Sequence, residues 1–173
     1  MQFISYNWKN GRDGMDIRFE EAAEEDIPEL TMIMKRSFDE DSRIHLGEPE
    51  GGPPGYDNGD FFRKWMLSYE ESHGYKIIVE DKIIGFFLVW LYEHGDNALG
   101  NIFVDPDYQN RGIGSKTMQH IFNKYAAKSW TLDTPIWATR NHHFYGKHGF
   151  KKVGEGAIPG DPTKLVILKK DMA

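Results

Sequence analysis

Residues Asn101 to Lys116 run a β-branched and aromatic stretch through a Pro-containing turn into a loop with Arg and two glycines, directly before a helical pattern. A chain that leaves a strand and enters a helix this way gathers backbone N–H groups at the helix start. Glycines let those groups approach an anion closely, and the unpaired first-turn donors and helix dipole favour negative charge. Gln109-Asn110-Arg111-Gly112-Ile113-Gly114 is therefore a candidate phosphate loop. Two other glycine loops fail in register. A P-loop ends Gly-Lys-Ser/Thr, whereas here Ser115 separates Gly114 from Lys116. A dinucleotide fingerprint needs G-x-G-x-x-G, and the residue three after Gly114 is Thr117. A tight turn without a ligand stays open as the alternative, because short glycine motifs recur by chance.

Composition narrows the class. At 173 residues the chain suits one domain with an ordinary core, and its 39% hydrophobic and 28% charged residues are a globular balance. A net charge of −6 argues against a general nucleic-acid binder, whose affinity rests on a basic surface. With no cysteine there is no disulfide framework, thiolate metal site or thiol nucleophile. The longest apolar run, Ile83 to Tyr92, is strand-length and too short to span a bilayer. Residues 1–14 are polar and mixed, with no apolar core or cleavage site, so they read as an N-terminal extension without a secretion signal. A cytoplasmic location and no membrane partner are expected.

Periodicity places the elements. Ile17-Arg18-Phe19 leans to strand, and Asp26, Pro28 and Glu29 read as a capped helix start. Ile27, Leu30, Ile33, Met34 and Phe38 follow helical spacing, and residues 39–59, acidic and rich in Gly and Pro, read as a long loop. A second helix carries Phe61, Phe62, Trp65, Met66 and Tyr69. Residues 75–80 and 82–92 predict a hairpin, whose nearly all-apolar second strand must be covered on both faces. Residues 98–104 form the next strand. The helix after the glycine loop has a core stripe of Met118, Ile121, Phe122 and Tyr125. Residues 132–139 are a strand with an awkward Pro135, residues 141–148 a short helix, and residues 150–153 and 165–169 the last strands.

The glycine loop resembles the acyl-CoA-binding motif of the GCN5-related N-acetyltransferases, the GNAT family, in which Gln/Arg-x-x-Gly-x-Gly/Ala follows a strand. Asn141-His142-His143-Phe144-Tyr145-Gly146-Lys147-His148-Gly149-Phe150 is similar to that family's C-terminal signature, an Asn followed by Phe/Tyr-Tyr-x-Lys/Arg-x-Gly-Phe. Two motifs in the right order are far more specific than either alone, and the resemblance covers about residues 15–170. It implies an α/β, single-domain GNAT fold over residues 15–173: a mixed twisted sheet of about six to seven strands flanked by about four helices, with a splayed parallel strand pair. One departure stands out. Many members place the Asn about two helical turns before the Tyr, whereas Asn141 and Tyr145 are four residues apart, as though the helix had lost about one turn.

The resemblance implies that acetyl-CoA is the cosubstrate, with no metal, and that its pantetheine arm lies in the wedge between strands ending near Val104 and Thr139. Ile102, Phe103 and Val104 would pair with it as an added strand would. Gln109, Asn110, Arg111, Gly112, Ile113, Gly114 and Ser115 would hold the pyrophosphate, and Asn141 and Tyr145 would face the cofactor. A backbone N–H near Val104 would polarise the carbonyl, and Tyr145 is the candidate general acid, its unperturbed pKa near 10 lying not far above a thiol's. Glu93 and His94, clustered with Asp96 after the apolar strand, are candidate bases; a solvated turn is the alternative. His142, His143 and His148 lack regular ligand spacing and predict no metal site.

The acceptor depends on the first two helices and the segment between them. Asp39, Glu40, Asp41, Glu48 and Glu50 would favour a cationic amine such as a polyamine, an amino compound or a peptide N-terminus; a solvated acidic loop is the alternative. The expected reaction is acetyl transfer to a primary amine of a small molecule or peptide by direct attack in a ternary complex. A non-catalytic acyl-CoA sensor of the same fold and transfer of a longer acyl chain are the other readings. Family members often dimerise, so a homodimer is an implied partner.

Overall fold

A computed structural model of the chain describes residues 15–173. Residues 1–14, expected to be an extension, lie outside the described residues. The chain runs β1 (Ile17–Glu21), α1 (Ile27–Leu46), α2 (Asp60–Trp65), β2 (Ser72–Val79), β3 (Lys82–Trp90), β4 (Asp96–Val104), α3 (Ile113–Lys124), β5 (Ser129–Pro135), α4 (Thr139–Lys147), β6 (Lys151–Ala157) and β7 (Lys164–Asp171). All seven strands form one sheet in the order β1-β2-β3-β4-β5-β7-β6. Its neighbours are antiparallel except β4 and β5, which run parallel. Among the described residues no helix is long and apolar enough to cross a membrane.

The apolar run in β3 is covered on both faces, as its composition predicts. Ile84, Phe87 and Val89 join the core that includes Ile113, Met118 and Ile121 of α3 and Tyr145 of α4. Phe86 and Leu88 join the second core, with Ile27, Leu30 and Met34 of α1 and Phe61 and Phe62 of α2. Ile84 and Phe86 would share a face in an unbroken strand. They do not, because Ile77 pairs with Gly85 while Ile78 pairs with Ile83, so Ile84 is a bulge residue that resets the alternation.

Three expectations need correction. The segment after Phe38 is not loop throughout, since α1 continues to Leu46 and ends at Gly47 in the left-handed conformation (φ 69°). Two of its acidic residues are held as helix pairs: Lys35 Nζ to Asp39 at 2.6 Å and Arg43 to Glu40 at 2.6 Å. Asp26 is the N-cap residue of α1, as expected, but its carboxylate makes no capping bond to the helix and instead accepts from the Ala23 N–H at 2.8 Å, closing the turn before it. Strand β5 spans Ser129–Pro135 rather than residues 132–139, so Pro135 is its last residue, where a missing N–H costs the ladder little.

Candidate active site

β4 and β5 pair at Asp96–Ser129, Asn97–Trp130 and Ala98–Thr131, and then part. The point of parting coincides with a bulge in β4. Leu88 of β3 pairs with Asn101 and Val89 with Leu99, leaving Gly100 as the extra residue. A bulge bends its strand, and here it turns the second half of β4 away from β5. The resulting groove, about 550 Å³, is lined by Ile102, Phe103 and Val104 of β4, the loop into α3, residues of α4, and Ser37, Phe38 and Asp41 of α1. That volume lies within the usual range for small-ligand sites.

The backbone of β4 is sorted by its ladder. The Asp105 N–H donates to the Ile84 carbonyl at 2.7 Å. Antiparallel ladders alternate, so Phe103 also faces β3, while the backbone groups of Ile102 and Val104 point to the opened side. Phe103 thus contributes its ring to the groove, not its amide. The Val104 carbonyl already accepts from Gln109 Nε2 at 3.0 Å, which ties the loop back to the strand.

The loop takes the form its glycines predict. Asn110 (φ 63°) and Gly112 (φ 77°) are both left-handed, and Gly112 is the N-cap of α3. The first helical bond runs from Lys116 N–H to the Gly112 carbonyl at 3.0 Å, so the N–H groups of Ile113, Gly114 and Ser115 are the unpaired first-turn donors. Gly114 serves a different need. A Cβ there would lie 3.2 Å from the Phe144 ring, so glycine lets α4 close against α3. His148 Nε2 and Ser115 Oγ, 3.0 Å apart, add a second tie between these elements.

Tyr145 is 8% exposed and packs edge-on against Phe144 and Phe150. It lines the groove, yet its hydroxyl has no hydrogen-bond partner among the described residues. Burial first, and then the negative charges of Asp133 and Asp41, raise its pKa and hold the phenol neutral. Asp133 stands on β5 between the buried Leu132 and Thr134 and so faces the α1 side of the sheet. Asp41 reaches the groove from α1. Desolvation raises the pKa of both carboxyls, and for Asp41 the charges of Arg140 and His45 act against it.

The structure brings together most residues singled out from sequence. Ile102, Phe103, Val104, Gln109, Asn110, Gly112, Ile113, Gly114, Ser115, Asn141 and Tyr145 all line the groove. Asn141 also donates to the Thr134 hydroxyl at 3.2 Å, which fixes the start of α4 against β5. Arg111 is not among the lining residues; its guanidinium lies over the Tyr108 ring at 5.2 Å. Glu93 and His94 are exposed in the turn before β4, whereas the groove opens at its far end, roughly 25 Å away along the strand. There the His94 ring accepts from the Asp96 N–H at 3.1 Å, and Asp96 accepts from Ser129 Oγ at 2.8 Å. His142 meets the Pro135 carbonyl, His148 meets the Ser115 hydroxyl and His143 lines the groove, and no group of three metal-ligating side chains occurs among the described residues.

Sequence reasoning missed Asp133 altogether and took Asp41 for one loop acid among several. The alternation Trp130, Leu132, Thr134 against Thr131 and Asp133 was the available signal.

A mixed sheet whose one parallel pair splays ahead of a glycine loop and helix start is the arrangement shared with acetyltransferases of known structure. Residues 70–152 match the family model described as "Acetyltransferase (GNAT) domain". Over these residues the chain carries a GNAT acetyltransferase domain, the domain of an acetyltransferase enzyme. Solved structures share the fold. An acetyltransferase from Thermus thermophilus aligns with TM-score 0.72 at 16% identity, covering 90% of this chain and 97% of that one. The ribosomal-protein-S18-alanine N-acetyltransferase of Escherichia coli gives 0.69 at 17% identity, over 91% and 96%. A GNAT family acetyltransferase from Elizabethkingia anophelis with acetyl-CoA bound gives 0.63 at 16%, over 90% and 98%. No curated protein matches the sequence.

Proposed function

We propose that the protein transfers the acetyl group of acetyl-CoA to a primary amine of a small molecule or peptide, by direct attack in a ternary complex. One observation carries this reading. The unpaired first-turn donors of α3, the groove-facing backbone of Ile102 and Val104, and the unpartnered hydroxyl of Tyr145 meet in a single groove. The Elizabethkingia anophelis relative, solved with acetyl-CoA bound, supports the choice of cosubstrate.

The α3 donors suit the pyrophosphate, and Ile102 and Val104 offer the pantetheine amides an edge to pair with. Bound acetyl-CoA supplies an activated thioester. The Val104 N–H is placed to polarise its carbonyl as the neutral amine attacks. As the new C–N bond forms, the amine nitrogen gives a proton to a carboxylate, for which Asp133 replaces Glu93 and His94 because its charge reaches Tyr145. A raised pKa makes it a stronger base than an ordinary carboxylate. As the C–S bond breaks, the neutral Tyr145 phenol donates to the departing sulfur, and the proton held by Asp133 restores the balance.

A sensor needs the binding loop but has no use for a buried, unpartnered phenol in the same groove, so this group favours turnover. Thiol release from acetyl-CoA across a panel of amines tests the reading directly. Amine-dependent release with stoichiometric acetylated amine is expected. Tight binding of acetyl-CoA with no release for any amine would support the sensor instead.

A further inference from the structure

The buried stripe of α1 runs through Ile27, Leu30 and Met34 in the second core and then reaches Ser37, where the helix passes from that core onto the groove. Ser37 is only 3% exposed. A serine at a stripe position forgoes apolar burial, and a buried hydroxyl without a partner is costly to hold. The other deeply buried serines and threonines among the described residues each have a partner. Ser42 donates to the Glu50 carbonyl, Thr117 to the Ile113 carbonyl and Ser129 to Asp96, and the Thr134 hydroxyl accepts from Asn141. The Ser37 side chain makes no hydrogen bond among the described residues, not even to the carbonyl one turn back that a helical hydroxyl can reach.

The two chain neighbours of Ser37 fix where it stands. Arg36 pairs with Asp105 at 2.9 Å, and the Phe38 ring lies 6.4 Å from that of Phe103. Residues 103 and 105 bracket Val104, so Ser37 is held over the end of β4, and both Ser37 and Val104 line the groove. Tyr145, a second buried hydroxyl without a partner, lines it from α4. Helix α1 packs on one core of the sheet, whereas Ile113 of α3 and Tyr145 of α4 belong to the other. Ser37 therefore stands on the wall that is left to the acceptor.

We propose that Ser37 is a specificity-determining residue that receives the second N–H of the attacking amine and so restricts the acceptor to primary amines. The inference rests on the acetyl-transfer reading above. With its lone pair turned to the thioester carbon, a primary amine still carries two N–H groups. One proton leaves as the C–N bond forms, and the other hydrogen stays on the nitrogen of the product amide. Away from bulk water that remaining N–H needs an acceptor throughout, and the Ser37 oxygen supplies one. A secondary amine carries an alkyl group in that place. It would press carbon against the hydroxyl and leave it unpaired, which is a strong basis for rejection.

Butylamine and N-methylbutylamine, similar in basicity and chain length, isolate the effect. With acetyl-CoA, kcat/KM should be at least about tenfold higher for butylamine than for N-methylbutylamine. Ser37→Ala removes the acceptor but keeps a good helix former, and it should bring that ratio below about threefold, chiefly through a lower kcat/KM for butylamine. Ser37→Thr, which keeps the hydroxyl, should hold the ratio nearer the wild-type value. Acetyl-CoA affinity by calorimetric titration should agree within about twofold among the three proteins, which a loss of fold would not allow. A ratio near one in the wild type, or a ratio unchanged in Ser37→Ala, would overturn the inference and leave acetyl transfer intact. Loss of acetyl-CoA affinity in Ser37→Ala would move the residue to the cofactor side and overturn it too. So would turnover of neither amine by a protein that binds acetyl-CoA. Failure of the wild type to bind acetyl-CoA would instead refute the reading on which the inference rests.

Discussion

Tyr145 owes its chemistry to burial. The ring is packed into the core shared by α3 and α4 and the residue lines the groove, and desolvation with the charges of Asp133 and Asp41 keeps its proton in place. Tyr145→Phe removes the donor but keeps the packing, so kcat should fall about 100-fold. An unchanged kcat would remove Tyr145 from the reaction. Asp133 carries the opposite cost. Its folded pKa is raised above the unfolded value, so the folded state binds the extra proton and is relatively weakened as pH rises through that folded pKa. Asp133→Asn should therefore lower kcat/KM about 100-fold or more and abolish its acid-side limb. The same variant should unfold at a slightly higher temperature at pH 7, which a calorimetric scan would check. Tyr145 was legible from sequence because it sits in a local motif. Asp133 and Asp41 were not, because a lone carboxylate has no local signature. Only the fold brings both charges to bear on one side chain.

The strand–loop–helix unit was legible because its elements are local: glycines at left-handed positions, a helix stripe after them, and a strand before them. The groove itself depends on two bulges, one in β3 and one in β4, and bulges leave little trace in a pattern of apolar residues. Gly85 shows how tightly β3 and β4 meet. A Cβ there would stand 2.5 Å from the Phe103 carbonyl oxygen, which is backbone and cannot swing aside. Gly85→Ala should cost about 1–3 kcal/mol in urea unfolding, the usual range for overpacking, and a neutral result would mean that the strands separate easily. The C-terminal half of α1 read as loop because its acids outweighed its apolar periodicity. Its Lys35–Asp39 and Glu40–Arg43 pairs were nevertheless visible at helical spacing. Arg36, on the same helix, reaches Asp105 at 2.9 Å and Asp107 at 3.0 Å and fixes the turn that leads from β4 into the glycine loop. Arg36→Ala leaves the nearly buried Asp105 without that partner, and about 1–3 kcal/mol should be lost.

Across the whole molecule two cores share one sheet, and the larger encloses an ionisable side chain. His120 stacks on Phe19 at 4.1 Å, and burial, with a smaller push from Lys124, lowers its pKa to about 4. The unfolded chain then binds more protons than the folded one between that value and the ordinary 6.5, so stability present above 6.5 is lost as pH falls toward 4. The loss from this group should reach about 2 kcal/mol by pH 5. His120→Gln should flatten the decline in urea unfolding free energy between pH 7 and 5, and an undiminished slope would assign it to other groups.

At this scale the fold class was legible because two distant motifs fixed the order of strands and helices around a shared groove. The α1 wall of the groove was not, because Ser37, Phe38 and Asp41 meet β4 and α4 only in the folded chain. The central claim is that the groove opened between β4 and β5 holds acetyl-CoA through the start of α3. Calorimetric titration of the wild type and of Gly112→Glu with acetyl-CoA tests it most directly. Gly112 is left-handed and lines the groove, so glutamate brings both strain and a negative charge to the start of α3. One-to-one binding by the wild type, weakened at least about tenfold in the variant, is the predicted result. Equal affinity in the two proteins would contradict it.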